Sequence, residues 1–205
     1  AKKVAAAGAL LAAATYLTLS GGNVATERAF VMVATMLLAV LADRRAITLR
    51  AVALAALIVL TLRPETLLGP GFQMSFAATI ALVAAFGWMR DADWSQSRWP
   101  WPIRVVAGVA ISSAVAGMAT APIAAAHFNQ IPHFGLFANI LSVPLMGVVI
   151  IPAAVLAACF WPIGLHWLGL KIMEPAINWI LAVADYVANL PGALSHIWSP
   201  APSVL

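Results

Sequence analysis

The chain has 205 residues, of which 63% are hydrophobic and only 9% are charged, and its formal net charge is +4. Soluble domains carry about 25% charged residues, so this chain has too few hydrated groups to cover a globule in water, and its solvent must be lipid. Because a spanning helix takes about 20 mostly apolar residues, we predict an all-α fold. It would be a polytopic transmembrane helical bundle with about six to seven membrane helices, some of them short or Pro-broken.

Seven apolar runs follow one another along the chain, at residues 4–19, 29–42, 51–62, 72–89, 105–126, 134–161 and 168–190. Two lysines precede the first run and imitate a secretory signal, but no cleavage site follows, so we predict a first membrane helix. The second and third runs are short for a full crossing. They either extend over flanking polar residues, or form half-helices or re-entrant elements.

If the runs cross the membrane alternately, most basic residues fall on one side of it. Before the sixth run, the opposite side holds only Arg28 and Arg63. The basic side holds Lys2, Lys3, Arg44, Arg45, Arg50, Arg90, Arg98 and Arg104. Because positive residues stay in the cytoplasm, we predict that this side is cytoplasmic and that the 127–133 loop is outside.

Small residues and prolines distinguish the later runs. Prolines at positions 122, 144, 152 and 175 predict kinks or unwound turns. The fifth run is predicted to pack closely against a neighbouring helix, because small residues recur in it at spacings of three and four: Gly108, Ser112, Ser113, Ala116, Gly117, Thr120 and Ala121.

Polar residues inside apolar runs are costly and usually mark a pathway, a pair or an interface. Gln73 and Phe76 fall on one helix face, where the amide either lines a path or joins Ser75 in hydrogen bonds between helices. The last run carries a polar stripe, which we define as Lys171, Glu174, Asn178, Asp185 and Asn189. That helix either lies in the membrane interface or spans with the stripe along a water-filled path.

No catalytic or metal-binding spacing accompanies these residues. The four histidines show no metal-ligand pattern, and the nucleophile, phosphate-binding and C-x-x-C motifs are absent. Cys159 lies in an apolar run and is predicted to act as a small hydrophobe. We therefore predict that the chain is not an enzyme and takes no cofactor and no metal.

Several motifs resemble the membrane domain of the ComEC-type competence proteins. The most specific is Gly-Phe-Gln-Met-Ser-Phe-Ala-Ala at 71–78. Others are Arg-Ala at 28–29 with Met32, Arg-Arg at 44–45, Pro64, His-Phe at 127–128, Ala-Asn-Ile-Leu-Ser-Val-Pro-Leu at 138–145 and Leu-Pro-Gly-Ala at 190–193. The resemblance runs from about residue 23 to 192. We therefore expect a transmembrane competence-type domain over 1–192, cut from a longer protein, and a tail or linker over 193–205.

The resemblance implies an inner-membrane channel of a bacterium, through which single-stranded transforming DNA enters the cytoplasm. The implied partners are single-stranded DNA, membrane lipids and other competence-machinery proteins. One bundle of this size is narrow for a strand of nucleic acid, so a second copy of the chain, as a homodimer, or the rest of the domain would be needed to form the channel. The OB-like and metallo-β-lactamase-like modules that often accompany this domain are not visible, so no nuclease activity is assigned to this segment.

The site residues are predicted from polar groups at apolar positions together with this resemblance. Arg28 and Arg63, both on the outer side, would receive phosphates. Asn139 and Pro144 would lie at a break in the sixth run. The remaining predicted channel-lining or DNA-contacting residues are Phe72, Gln73, Ser75, Phe76, Lys171, Glu174 and Asn178.

Two other functions fit the same helices. A secondary transporter or permease for a small solute would also use broken helices and a polar stripe, although no inverted repeat is found. A membrane-embedded scaffold would use only the small-residue faces. Neither alternative requires the motif at 71–78.

Overall fold

The structure is a computed structural model that describes residues 2–44, 47–91 and 100–196. The chain divides into two compact units, Ala1–Ser97 and Arg98–Leu205. The first unit holds α1 (Lys2–Leu19), α2 (Val24–Leu41), α3 (Leu49–Leu62), a 3₁₀ turn (Pro64–Leu68) and α4 (Pro70–Asp91). The second holds α5 (Trp101–Phe128), β1 (Gln130–Pro132), α6 (Gly135–Leu145), a π-helical turn (Met146–Ile150), α7 (Ile151–Phe160), a 3₁₀ turn (Trp161–Ile163), α8 (His166–Ala188) and β2 (Leu194–His196).

In the first unit each helix packs on the next one along the chain. Lys3 at the start of α1 bonds Asp43 just after α2, with Nζ 2.6 Å from Oδ2. At the other end Arg63, which follows α3, bonds Glu27 in the first turn of α2. α1 and α2 are therefore antiparallel, as are α2 and α3. Arg63 lies at one end of the unit and Lys3 at the other.

The core of the first unit lies where α2, α3 and α4 meet. It consists of Val31, Val52, Ala55, Val59, Phe72 and Phe76, each less than 9% exposed. The second apolar run does extend over flanking polar residues, since α2 begins at Val24 after an Asn23 cap. The third run, α3, is one uninterrupted helix of 14 residues, or about 21 Å at 1.5 Å per residue.

In the second unit, α6 and α7 are joined by the π-helical turn Met146–Ile150 into one helical segment. We predicted a break in this run, and the structure has this widened turn instead. Pro144 lacks the N–H that the carbonyl of Ile140 would accept, and its ring crowds the preceding turn. A π bulge relieves such a conflict without ending the helix. Pro122 and Pro175 also lie inside continuous helices.

α7 and α8 approach each other closely at Gly169. A Cβ added there would lie 2.5 Å from the carbonyl oxygen of Ala153 and 2.7 Å from the Cβ of Ala157. We also predicted close packing on the fifth run, and α5 does pack against α6. On that helix, an added Cβ at Gly108 or Gly117 would meet no atom within 4 Å in the described part of the chain.

A short antiparallel ribbon joins the segments that follow α5 and α8. Gln130 pairs with His196, Ile131 with Ser195 and Pro132 with Leu194, and His133 Nε2 lies 2.7 Å from Ser195 Oγ. The stretch from 193 onward was predicted as a tail or linker. Its residues 194–196 form strand β2, and residues 197–205 lie outside the described residues.

Five helical segments of the described chain are long and apolar enough to cross a membrane: Val24–Leu41, Pro70–Arg90, Pro102–Phe128, Gly135–Ile163 and His166–Ala188. α3 is a shorter apolar helix. α1 is not among the five, so its role as a first membrane helix stays a prediction. The predicted all-α transmembrane bundle is confirmed.

Candidate functional site

The start of α2 carries a charged cluster, which we call the Arg28 cluster: Glu27, Arg28, Arg63 and Gly71. Asn23 caps the helix, because its Oδ1 accepts the backbone N–H of Thr26 at 2.9 Å. The cap begins the helix at Val24, so Glu27 lies in the first turn and Arg28 directly follows it. A carboxylate in the first turn is favoured by the helix dipole.

Glu27 of α2 forms an ion pair with Arg63, the residue that follows α3. The Arg63 Nε donates to Glu27 Oε2 at 2.7 Å, with the two side chains 41% and 29% exposed. An ion pair this accessible contributes about 0–1 kcal/mol to stability. It mainly fixes where the Arg63 guanidinium lies.

Gly71, in the first turn of α4, makes room for Arg28. A Cβ added at Gly71 would lie 3.1 Å from Arg28 Nη1 and 3.5 Å from Nη2. The half-buried guanidinium therefore rests against bare backbone, where a larger side chain would displace it. Within the described residues Arg28 makes no ion pair, since the nearby Glu27 carboxylate bonds Arg63. The cluster thus presents one positioned guanidinium that is free to bind an anion.

The motif that follows Gly71 lies mostly inside the first unit. The rings of Phe72 and Phe76 are 8% and 5% exposed, with centroids 4.5 Å apart, and both belong to the core. Gln73 Nε2 donates to the carbonyl of Leu67 at 3.2 Å. Ser75 is half-buried. The structure thus gives the two rings a packing role, and the predicted lining role of these four residues stays a prediction.

The polar stripe of α8 faces away from the rest of its unit. The buried residues of α8 are Gly169, Ala176 and Val183, which recur every seven positions on one side. At 100° per residue the stripe lies about 160° away from that side. Lys171, Glu174 and Asn178 are exposed, and Lys171 Nζ lies 5.5 Å from the centroid of the Trp167 ring on the same helix.

Asn139 and Pro144 lie on α6. Asn139 is exposed and Pro144 is half-buried, two residues before the π-helical turn. Trp179 of α8 donates its Nε1–H to the carbonyl of Leu141 at 3.3 Å, which ties α8 to α6 beside Pro144.

The structure distributes the predicted site residues over the two units. In the first, Arg28 and Arg63 share the Arg28 cluster, next to Phe72. In the second, Asn139 and Pro144 lie on α6 while the stripe lies on α8. Sequence reasoning missed that Glu27 pairs with Arg63 and that Gly71 holds space for Arg28. No group of three or more His, Cys, Asp or Glu that could hold a metal ion lies among the described residues.

Comparison with known proteins identifies the family. The family model described as "Competence protein" matches residues 1–205, the whole chain. The chain belongs to this family. A curated relative, ComE operon protein 3 of Bacillus subtilis (strain 168), is 27% identical to it over 197 residues, which cover 93% of this chain and 24% of the relative. This Competence protein family member therefore spans about a quarter of the relative's length. No solved structure matches it.

Proposed function

We propose that this chain is the membrane segment of a channel that takes up single-stranded transforming DNA. The observation that carries the proposal is the family model, which matches the chain from end to end. We place the protein in the bacterial inner membrane, with other competence-machinery proteins as partners. A second copy of the chain, as a homodimer, would supply the width that one bundle of this size lacks.

The polar stripe supports an aqueous path. α8 is long and apolar enough to span a membrane, yet it carries Lys171, Glu174 and Asn178 on the side opposite to its packed residues. Such groups are costly against lipid. They are accommodated if that side faces water, nucleic acid or another protein.

The Arg28 cluster supports phosphate recognition at one end of the first unit. A phosphodiester needs donors that carry positive charge, and arginine offers a planar fork of N–H groups. Arg28 is free for this role within the described residues, and Arg63 would add a second guanidinium when a phosphate competes with Glu27. Contacts to phosphate do not depend on base sequence, as uptake of any DNA requires.

Single substitutions test this proposal. We expect Arg28→Gln, Gln73→Leu and Asn139→Leu each to lower transformation at constant protein level, with Arg28→Gln showing the largest loss. Losing one charge-assisted hydrogen bond corresponds to about tenfold or more. Undiminished uptake in all three variants would contradict the lining assignment. Electrogenic uptake of a small solute by the reconstituted protein, with no requirement for DNA, would favour a transporter instead.

Thiol labelling tests whether the stripe meets water. Cys159 is exposed, so the background is Cys159→Ala. In it, N178C is expected to react with a membrane-impermeant maleimide at least about tenfold faster than A176C, because reactivity follows exposure and Ala176 is only 4% exposed. Single-stranded DNA should slow labelling of N178C. Equal and slow labelling of both variants would show that the stripe does not face water.

A further inference from the structure

A groove of about 560 Å³ lies between the C-terminal half of α2 and the N-terminal half of α3, at the end of the first unit opposite to the Arg28 cluster. Ligand clefts usually enclose about 300–1,000 Å³. Its walls include Leu38, Leu54 and Ile58. Thr35 also lines it, but its hydroxyl donates to the carbonyl of Met32 at 2.8 Å. The groove therefore offers its occupant mostly apolar surface.

Two arginines line the same groove at its polar end. Arg44 follows α2 and Arg50 lies in the first turn of α3, and both are exposed. The acidic residue nearest in sequence, Asp43, is bonded to Lys3 at 2.6 Å. Among the described residues, neither Arg44 nor Arg50 makes an ion pair. The groove thus combines apolar walls with two guanidinium groups that have no carboxylate partner in the described part of the chain.

We propose that this groove binds an anionic glycerophospholipid. Its phosphate would lie between Arg44 and Arg50, and an acyl chain would lie along Leu38, Leu54 and Ile58. A free phosphate would leave the apolar walls uncovered, and a zwitterionic lipid would bring its own cation to the two arginines. A nucleic-acid backbone would place its phosphate charges against the apolar side chains of Leu38 and Leu54. Basic pockets between membrane helices recognise anionic headgroups in this way.

Lipid retention by the purified protein tests the site without any measurement of DNA uptake. The protein is equilibrated in mixed micelles with equal amounts of phosphatidylglycerol and phosphatidylcholine, and bound lipid is counted by native mass spectrometry. We expect phosphatidylglycerol to be preferred by about 30-fold, the factor for two cationic side chains near an anionic headgroup. Equal retention of the two lipids would overturn the proposal.

Variants test whether the groove causes the preference for phosphatidylglycerol. Arg44→Gln combined with Arg50→Gln should abolish it, whereas Arg104→Gln, which removes an exposed arginine of the second unit, should leave it unchanged. Ala39→Phe fills the groove and keeps both arginines, so it should also reduce retention. The thermal unfolding of this variant is measured as well, to distinguish a filled groove from a misfolded protein. If the double arginine variant keeps the preference, or if inorganic phosphate displaces the lipid completely, the groove is not a phospholipid site.

Discussion

Replacing Gly71 with leucine is expected to lower DNA uptake by about tenfold or more while the protein still folds. The leucine side chain would occupy the space in which the Arg28 guanidinium lies, because even a Cβ would come within 3.1 Å of Nη1. A charge-assisted hydrogen bond to phosphate is worth about 1.5–3 kcal/mol, which corresponds to roughly 10- to 100-fold in binding. Gly71→Ala needs a shift of only a few tenths of an ångström and should have a smaller effect. Transformation frequency at constant protein level is the measurement.

Two further variants make this test specific. Gly87→Leu lies in the same helix, where an added Cβ would meet no atom within 4 Å among the described residues, so uptake should stay near wild type. In an Arg28→Gln background Gly71→Leu should cause little further loss, because the guanidinium it displaces is already gone. Additive losses in the double variant would show that Gly71 acts independently of Arg28.

Gly169→Ala is expected to destabilise the second unit, although alanine favours a helix over glycine by about 1 kcal/mol. The added methyl would lie 2.5 Å from the carbonyl oxygen of Ala153 and 2.8 Å from the backbone nitrogen of Ala157. Backbone atoms on a packed helix cannot move aside singly, so α7 and α8 must separate. Overpacking costs about 1–3 kcal/mol or more and outweighs the propensity gain. Thermal unfolding of the purified protein should show a midpoint lower by a few degrees.

Gly117→Ala is the matched control, because Gly117 also lies inside a helix and an added Cβ meets nothing within 4 Å in the described chain. It should be neutral or slightly stabilising. Gly169→Leu should prevent close approach of α7 and α8 altogether and reduce the yield of monodisperse protein. A Gly169→Ala variant as stable as Gly117→Ala would mean that α7 and α8 do not approach this closely.

The helices were predictable because they depend on local sequence. In lipid, each backbone N–H and C=O must find its partner within its own segment, so a long apolar run becomes a helix whatever its neighbours are. The seven predicted runs correspond to α1 to α5, the α6–α7 segment and α8. For the second run, at 29–42, extension over flanking polar residues was one of the predicted alternatives, and the Asn23 cap places Glu27 and Arg28 inside α2.

The candidate sites were only partly predictable. The motif at 71–78 indicated the family, which the comparison confirms, and polar residues in apolar runs indicated Arg28, Arg63 and the stripe. The polar character of Gln73 and the aromatic rings around it suggested a lumen. The structure adds that Phe72 and Phe76 pack in a core with Val31 and Val59, which could not be predicted because a sequence pattern does not say which face meets a neighbouring helix.

Composition and motifs were enough to predict a bundle of membrane helices of the Competence family, with its charges confined to a few positions. Which of those positions meet became visible only in the folded molecule. Glu27 and Arg63 are 36 residues apart, Gly71 lies against Arg28, and the α8 stripe faces away from α7. Composition and local hydrogen bonding fix where helices form, but the pairing of their faces depends on side chains that are distant in sequence and close only after packing.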